Sequence, residues 1–190
     1  QEEPSMFNMI SLGLMATFAP TRIFLKLHKD KHPIVQVAFR QRIVGIYGID
    51  YYLNFVLPFL AKRYGFKNYI AVAHSLACPC IIRTEMKHYR SKTFPHLKKC
   101  AFIAGPFDGV TYLGDIPNVN YLTESGRPSV MNPHYLYLFF NRRKFNPDIS
   151  VLNIYGNVLD NTNTDKFISV VSAKSIRYIV APKAHFYQEV

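Results

Sequence analysis

Short apolar runs alternate along this chain with longer amphipathic stretches. Six runs are rich in β-branched and aromatic residues: TRIFLKL (21–27), PIVQVAF (33–39), YIAVAH (69–74), CAFIAG (100–105), SVLNIYG (150–156) and IRYIVA (176–181). Runs of this length and composition fit buried strands. Segments of helical length lie between them. Residues 47–65 end in basic residues followed by Gly65, a helix stop signal, and carry Pro58 as a kink site. A second helix is predicted from after Ser75 to about Arg90, and a third from about Pro133 to Phe145. Strand and helix therefore alternate, which is the order of an α/β domain with a mostly parallel sheet and helices on both faces. Residues 106–132 break the pattern. They are rich in Gly, Pro, Asn and Asp and read as a long loop or small cap, which the third helix extends to about residue 145.

No repeat, low-complexity tract or linker divides the 190 residues, so a single domain over 1–190 is expected. No run reaches the ~20 apolar residues of a membrane span. The stretch Met6–Pro20 is as apolar as a signal-peptide core but follows QEEPS rather than a basic leader. It reads as an amphipathic helix or the end of a fragment. The chain begins with Gln, which suggests processing or truncation.

Composition changes the picture in two ways. Apolar residues make up 49 % and aromatic residues 15 %, enough for a packed core and against bulk disorder. Lys and Arg number 23 against 12 Asp and Glu, a net charge of +11 spread along the chain rather than held in a tail. Such a charge favours polyanions and anionic surfaces. Cys78, Cys80 and Cys100 are too few for a disulfide framework, and the first two are too close for the usual zinc pair. They read as buried thiols. No cofactor or metal is expected. Gly105 and Gly109 belong to no phosphate-binding glycine loop, and no pair of histidines has metal-ligand spacing.

The segment carrying most chemistry is KNYIAVAHSLACP, residues 67–79. An apolar strand runs into His74–Ser75–Leu76 and a helix-like segment follows. A serine at such a turn has its hydroxyl lifted off the sheet. The helix start offers free N–H groups, and the N–H after the serine, here of Leu76, can steady an oxyanion. Close backbone at such a turn calls for small residues two before and two after the serine. This chain has Ala73 and Ala77, one methyl group larger than the usual glycines. Read alone, Ser75 also fits a plain structural serine or helix cap.

With these residues the chain resembles the α/β-hydrolase superfamily, and within it a Firmicute-associated family of small, often secreted hydrolase-like proteins of poorly defined function. The resemblance runs from about Lys31 to Tyr187. It is carried by PIVQVAF, the AHS turn, LKKCAFIAGPFDG (97–109), GRPSVMNPHY (126–135) and SVLNIYGNVLDNTNTDKFISVVSAKSIRYIV (150–180). It implies an α/β-hydrolase-like sheet, acyl ester or related hydrolysis, Ser75 as nucleophile, and an acid in the loop after the strand ending at Gly156. Asp160 and Asp165 are available there, and family spacing favours Asp165. The family usually has Gly where Lys166 stands. An Asx-turn or helix cap is the alternative role for Asp165. A secreted or cell-surface setting is also implied.

Two parts of the pattern are not found. The general base should follow the acid in chain order, and only His185 does. The resemblance places the family's histidine further on, so His185 is a substitute base or a surface residue on a terminal strand. The remaining histidines, His28, His32, His74, His88, His96 and His134, read as helix, loop or surface positions. The resemblance also implies an early strand near the centre of the sheet, followed by a His-Gly turn that donates the second oxyanion N–H. The sequence has no His-Gly pair. Either that element and its core strand are missing or the chain departs from the family there. It reads as a truncated or degenerate serine hydrolase with an incomplete site.

A rival reading comes from HYLYLFFNRRKF, residues 134–145, where aromatics stand beside Arg142, Arg143 and Lys144. That combination suits single-stranded nucleic acid or an anionic membrane. Burial of Tyr135, Leu138 and Phe139 along one helical side is the simpler account, and leaves peripheral contact with anionic surfaces ahead of nucleic acid.

Overall fold

The computed structural model describes residues 8–12, 23–25, 34–37 and 45–190. Its main sheet has seven strands: β1 (Asn8–Leu12), β2 (Ile23–Leu25), β3 (Ile34–Val37), β4 (Asn68–His74), β5 (His96–Ile103), β8 (Ser150–Ile154) and β9 (Phe186–Glu189). Their order across the sheet is β2-β3-β1-β4-β5-β8-β9. All pairings are parallel except that of β2 with β3. A two-residue pair, β6 (Val110–Thr111) and β7 (Gly114–Asp115), lies in the cap.

Four helical crossovers join the parallel strands. Helix α1 (Ile46–Tyr64) links β3 to β4, and α2 (Ala77–His88) links β4 to β5. The cap and α3 (Pro133–Asn141), with a 3-10 turn at Arg142–Lys144, link β5 to β8. Then α4 (Val170–Lys174) and α5 (Ile176–Val180) link β8 to β9. Each of these four crossovers advances in the same direction along the sheet. Right-handed crossovers then put all of these helices on one face. Burial agrees. Val35, Val37, Ala71, Ala73, Phe102 and Val151 share a face by register and are buried. Their neighbours on the other face, Ile70, Val72 and Leu152, are only half-buried. The expectation of helices on both faces is thus met on one face among the described residues.

The sequence signals place α1 well. Gly65 sits at φ +72 and its N–H donates to Ala61 O, closing the helix as the stop signal predicted. The helix runs on through Pro58. Polar contacts fix α1 against α2. Asp50 accepts from Thr84 Oγ1 at 3.0 Å and pairs with Arg83 at 3.3 Å, and Arg83 lies 3.7 Å over the Tyr137 ring of α3. These contacts hold in place the helix that starts at the serine turn.

Two expectations are corrected. Asn8–Leu12, within the stretch expected to be helical, is a strand between β3 and β4. The early core strand that the sequence leaves in doubt is therefore present, and partners on both sides satisfy its backbone. The run IRYIVA, expected as a strand, forms α5. Its buried residues Ile176, Ile179 and Val180 have i, i+3, i+4 spacing, with Arg177 turned to solvent. That is a helical face built of β-branched residues. The true edge strand is β9, five residues further on.

Candidate active site

Ser75 stands between the end of β4 and the start of α2 with φ +56. A non-glycine residue in this left-handed region marks strain or function. The turn is pinned on both sides. Ser75 N–H donates to Ile103 O at 3.0 Å, tying it to β5, and Cys78 N–H donates to Ser75 O at 2.9 Å. The Ser75 hydroxyl is half-exposed and makes no hydrogen bond among the described residues. It caps nothing: the N-cap of α2 is Leu76, without a side-chain cap bond. The Leu76 N–H has no acceptor among the described residues and stands at the positive end of the α2 dipole. Ala73 and Ala77 are both buried, so the turn has closed around the two extra methyl groups. The tight approach is borne by Gly105 instead, where a Cβ would fall 2.6 Å from the Phe107 ring and 2.9 Å from Cys78 Cβ.

Asp165 lies past the carboxyl end of β8. A Cβ placed on Gly156 would sit 3.4 Å from Asp165 Cβ, so the two backbones pack side by side. Asp165 Oδ1 accepts from Phe167 N–H at 2.9 Å and Ile168 N–H at 2.7 Å, an Asx-type turn that fixes the side chain. Its Oδ2 has no partner among the described residues. Lys166 has φ +87, the conformation that favours glycine, the residue that the resemblance implies for this position. Asp160 is exposed and pairs with Lys166 Nζ at 2.5 Å. Ser75 and Asp165 follow the carboxyl ends of β4 and β8, with β5 between. Two strand spacings separate those ends, about 10 Å.

His185 is at the other end of the sheet. Its N–H donates to Ile149 O at 3.0 Å, just before β8 begins, and β9 runs parallel to β8 from there. Seven residues of extended chain, about 23 Å, separate that level from Gly156. The fold does not bring His185 to Ser75 or Asp165, and its place as base is corrected on that ground. Chain direction gives the reason. β9 starts at the amino edge and reaches the carboxyl edge only at its end, where Val190 pairs with Asn153 and Tyr155. His74 is exposed beside the serine. His88 stacks on Phe94 and bonds Asn54, and His96 bonds Glu85.

His134, expected at the surface or in a loop, is buried in the first turn of α3. Its Nε2 is 3.1 Å from Pro106 O, and burial lowers its pKa. With Leu76, Ile46, Tyr47, Pro106 and Leu113 it lines a cavity of about 360 Å³ beside the serine turn. The sequence pattern of a buried helical side covers Tyr135, Leu138 and Phe139 and does not extend to His134, one residue earlier. The lining is mostly apolar, with Asn132, His134 and the hydroxyl-bearing Tyr47 as its side chains with polar groups.

The cap covering this cavity is held by buried polar groups. Asp108 accepts from Asn132 N–H at 2.7 Å and Asn120 Nδ2 at 2.9 Å, and its N–H donates to Ser172 Oγ at 3.0 Å. Burial, helped by the nearby Asp115 carboxylate, pushes the Asp108 carboxyl up to about 7. Asp115 accepts from Ser169 Oγ, joining the cap to the acid loop. In segment 134–145, Tyr135 and Leu138 are buried, and Phe139 lies between Tyr178 and the Arg142 guanidinium. The Tyr135 and Phe139 rings are thus occupied within the fold, while Phe140 is exposed.

Comparison with known proteins agrees with this architecture. The family model described as "Alpha/beta hydrolase of unknown function (DUF915)" matches residues 26–190. No curated protein matches significantly in sequence. Among solved structures, the product of the gene lin2722 of Listeria innocua superposes with a TM-score of 0.76 at 21 % identity, covering 97 % of this chain and 83 % of that one. A candidate cell surface hydrolase of Lactobacillus plantarum WCFS1 superposes with a TM-score of 0.74 at 15 % identity, covering 97 % and 81 %. At such identities the likeness establishes the fold. The match over residues 26–190 goes further: this chain belongs to the α/β hydrolases of unknown function.

Proposed function

We propose that the chain is a serine-hydrolase core for acyl transfer to water. Ser75 Oγ attacks the ester carbonyl while its proton passes, through water where no histidine stands, to the alcohol that departs; the Leu76 N–H steadies the oxyanion, and a water molecule then cleaves the acyl-enzyme, adding its hydroxyl to the acyl carbon and returning its proton to Ser75. Asp165, with one oxygen locked in its own turn and the other open, is the acid that would orient a histidine brought to this edge. The observation carrying this reading is the serine turn: a free hydroxyl at φ +56 beside an unpaired N–H, next to an apolar cavity. Among the described residues no histidine joins Ser75 to Asp165. Without such a histidine, turnover is expected to be slow and to rest on the oxyanion donor and binding, which by themselves retain roughly 10³–10⁴-fold acceleration in such enzymes. The cell-surface description of the Lactobacillus neighbour favours the same setting for this chain.

The test is labelling with a fluorophosphonate probe, comparing the native chain with Ser75→Ala, both shown to be folded by circular dichroism. Slow labelling that disappears in the variant is expected. Equal labelling of both, or none above background in the native chain, overturns the proposal.

A further inference from the structure

Helix α1 carries a feature that hydrolysis does not use. Tyr47, Tyr51, Phe55 and Phe59 follow one another at four-residue intervals, and each is 59–64 % exposed. The opposite side of the helix, Ile49, Leu53, Leu57 and Leu60, is buried. At 100° per residue the four rings fall within about 120° of the helix circumference. Lys62 falls inside that sector and Arg63 about 40° outside it, both one turn beyond Phe59. Four large aromatic side chains in one exposed row are far more than scattered surface apolar residues, and such a patch marks an interaction site.

The charge around the row says what the partner is. Residues 45–107 contain nine Lys and Arg but only two acids, Asp50 and Glu85. Both acids are buried. Asp50 is taken up by Arg83 and Thr84, and Glu85 by His96 and the Leu97 N–H. Lys98 meets Asp148. The other seven cations have no ion-pair partner among the described residues. They include exposed Lys62, Arg63 and Lys67 at the carboxyl end of α1 and Lys87 and Arg90 at that of α2. The segment thus presents apolar rings and uncompensated positive charge without one exposed acid. A helix with an aromatic face and flanking Lys and Arg lies in the plane of a lipid interface, rings among the headgroups and cations on anionic lipid. Tyr is enriched at that depth.

We propose that the outer face of α1 seats this protein on an anionic lipid surface, with Tyr51, Phe55 and Phe59 inserting and Lys62 and Arg63 contacting the headgroups. Seated this way, the cavity lined by Ile46 and Tyr47 lies at the amino end of the inserted row, so an acyl chain leaving the lipid meets it first. The lipid contact stands whether or not Ser75 is a nucleophile.

The test is co-sedimentation with vesicles of phosphatidylglycerol and phosphatidylcholine, against vesicles of phosphatidylcholine alone, at ~0.1 M salt. The native chain is expected to bind the anionic vesicles about tenfold better or more. Phe55→Ser with Phe59→Ser, and separately Lys62→Gln with Arg63→Gln, should each lower that binding by about tenfold. All these residues are exposed, and both variants should keep the native thermal transition. No binding by the native chain, or binding that either folded variant retains, overturns the proposal. So does a native dimer that the phenylalanine variant turns into monomer without any loss of lipid binding, because a second copy then covers the face.

Discussion

Replacing Asp108 by asparagine tests the buried polar network of the cap through the pH dependence of stability. Burial holds this carboxyl near pH 7 rather than at its ordinary 3.8, against the opposing hydrogen bonds from Asn132 N–H and Asn120. Between about pH 4 and 7 the folded chain keeps the proton and the unfolded chain releases it. Raising the pH through that window therefore favours unfolding. The full difference corresponds to about 4 kcal/mol, spread over the window and constant above pH 7. The substituted side chain does not titrate. Its amide keeps an acceptor for Asn132 N–H but turns an N–H₂ toward Asn120 Nδ2, at a pH-independent cost of roughly 1–3 kcal/mol. Comparing slopes removes that constant. His96, His88 and His134 also titrate, but alike in both proteins, and cancel in the difference. Urea denaturation of both chains at intervals from pH 4.5 to 8 should show native stability falling relative to Asp108→Asn as pH rises. Parallel curves would mean that Asp108 is ionised in the folded cap and would refute the reasoning.

Three other outcomes follow from the same contacts. Gly105→Ala places a methyl group 2.6 Å from the Phe107 ring and should cost about 1–3 kcal/mol in urea denaturation, the ordinary range for overpacking; an unchanged midpoint would show that the ring moves freely. Lys166→Gly relieves a left-handed lysine at φ +87 and should gain up to about 1 kcal/mol after the added freedom of the unfolded glycine. A lower thermal midpoint would show the turn to be unstrained. Cys78, Cys80 and Cys100 are buried free thiols whose pKa values burial raises, so a disulfide reagent should count none in the native chain and three in urea.

Local signals carried much of the architecture. Gly65 after Lys62 and Arg63 marked the end of α1, and the strand-to-helix switch around Ser75 marked the turn on which the proposed chemistry rests. The glycine that the resemblance implied at Lys166 pointed to a backbone requirement that φ +87 makes concrete. Two failures share one cause. IRYIVA is β-branched yet helical, and Asn8–Leu12 has no strand-like alternation yet pairs on both sides. In each case the partner surface decided, because propensity differences between helix and strand are small beside burial and backbone pairing.

The sequence by itself determined the class of domain, the serine turn, the acid loop and the excess of positive charge, all of which depend on neighbours in the chain. Only the tertiary structure decided which residues share an edge of the sheet. Parallel strand order sends Ser75 and Asp165 to the carboxyl edge and leaves His185 at the other, although all three follow in the expected chain order. It also buried Asp50 and Glu85 while leaving the cations and the aromatic row of α1 exposed. Edge and exposure depend on contacts between residues far apart in sequence, and local pattern does not encode them.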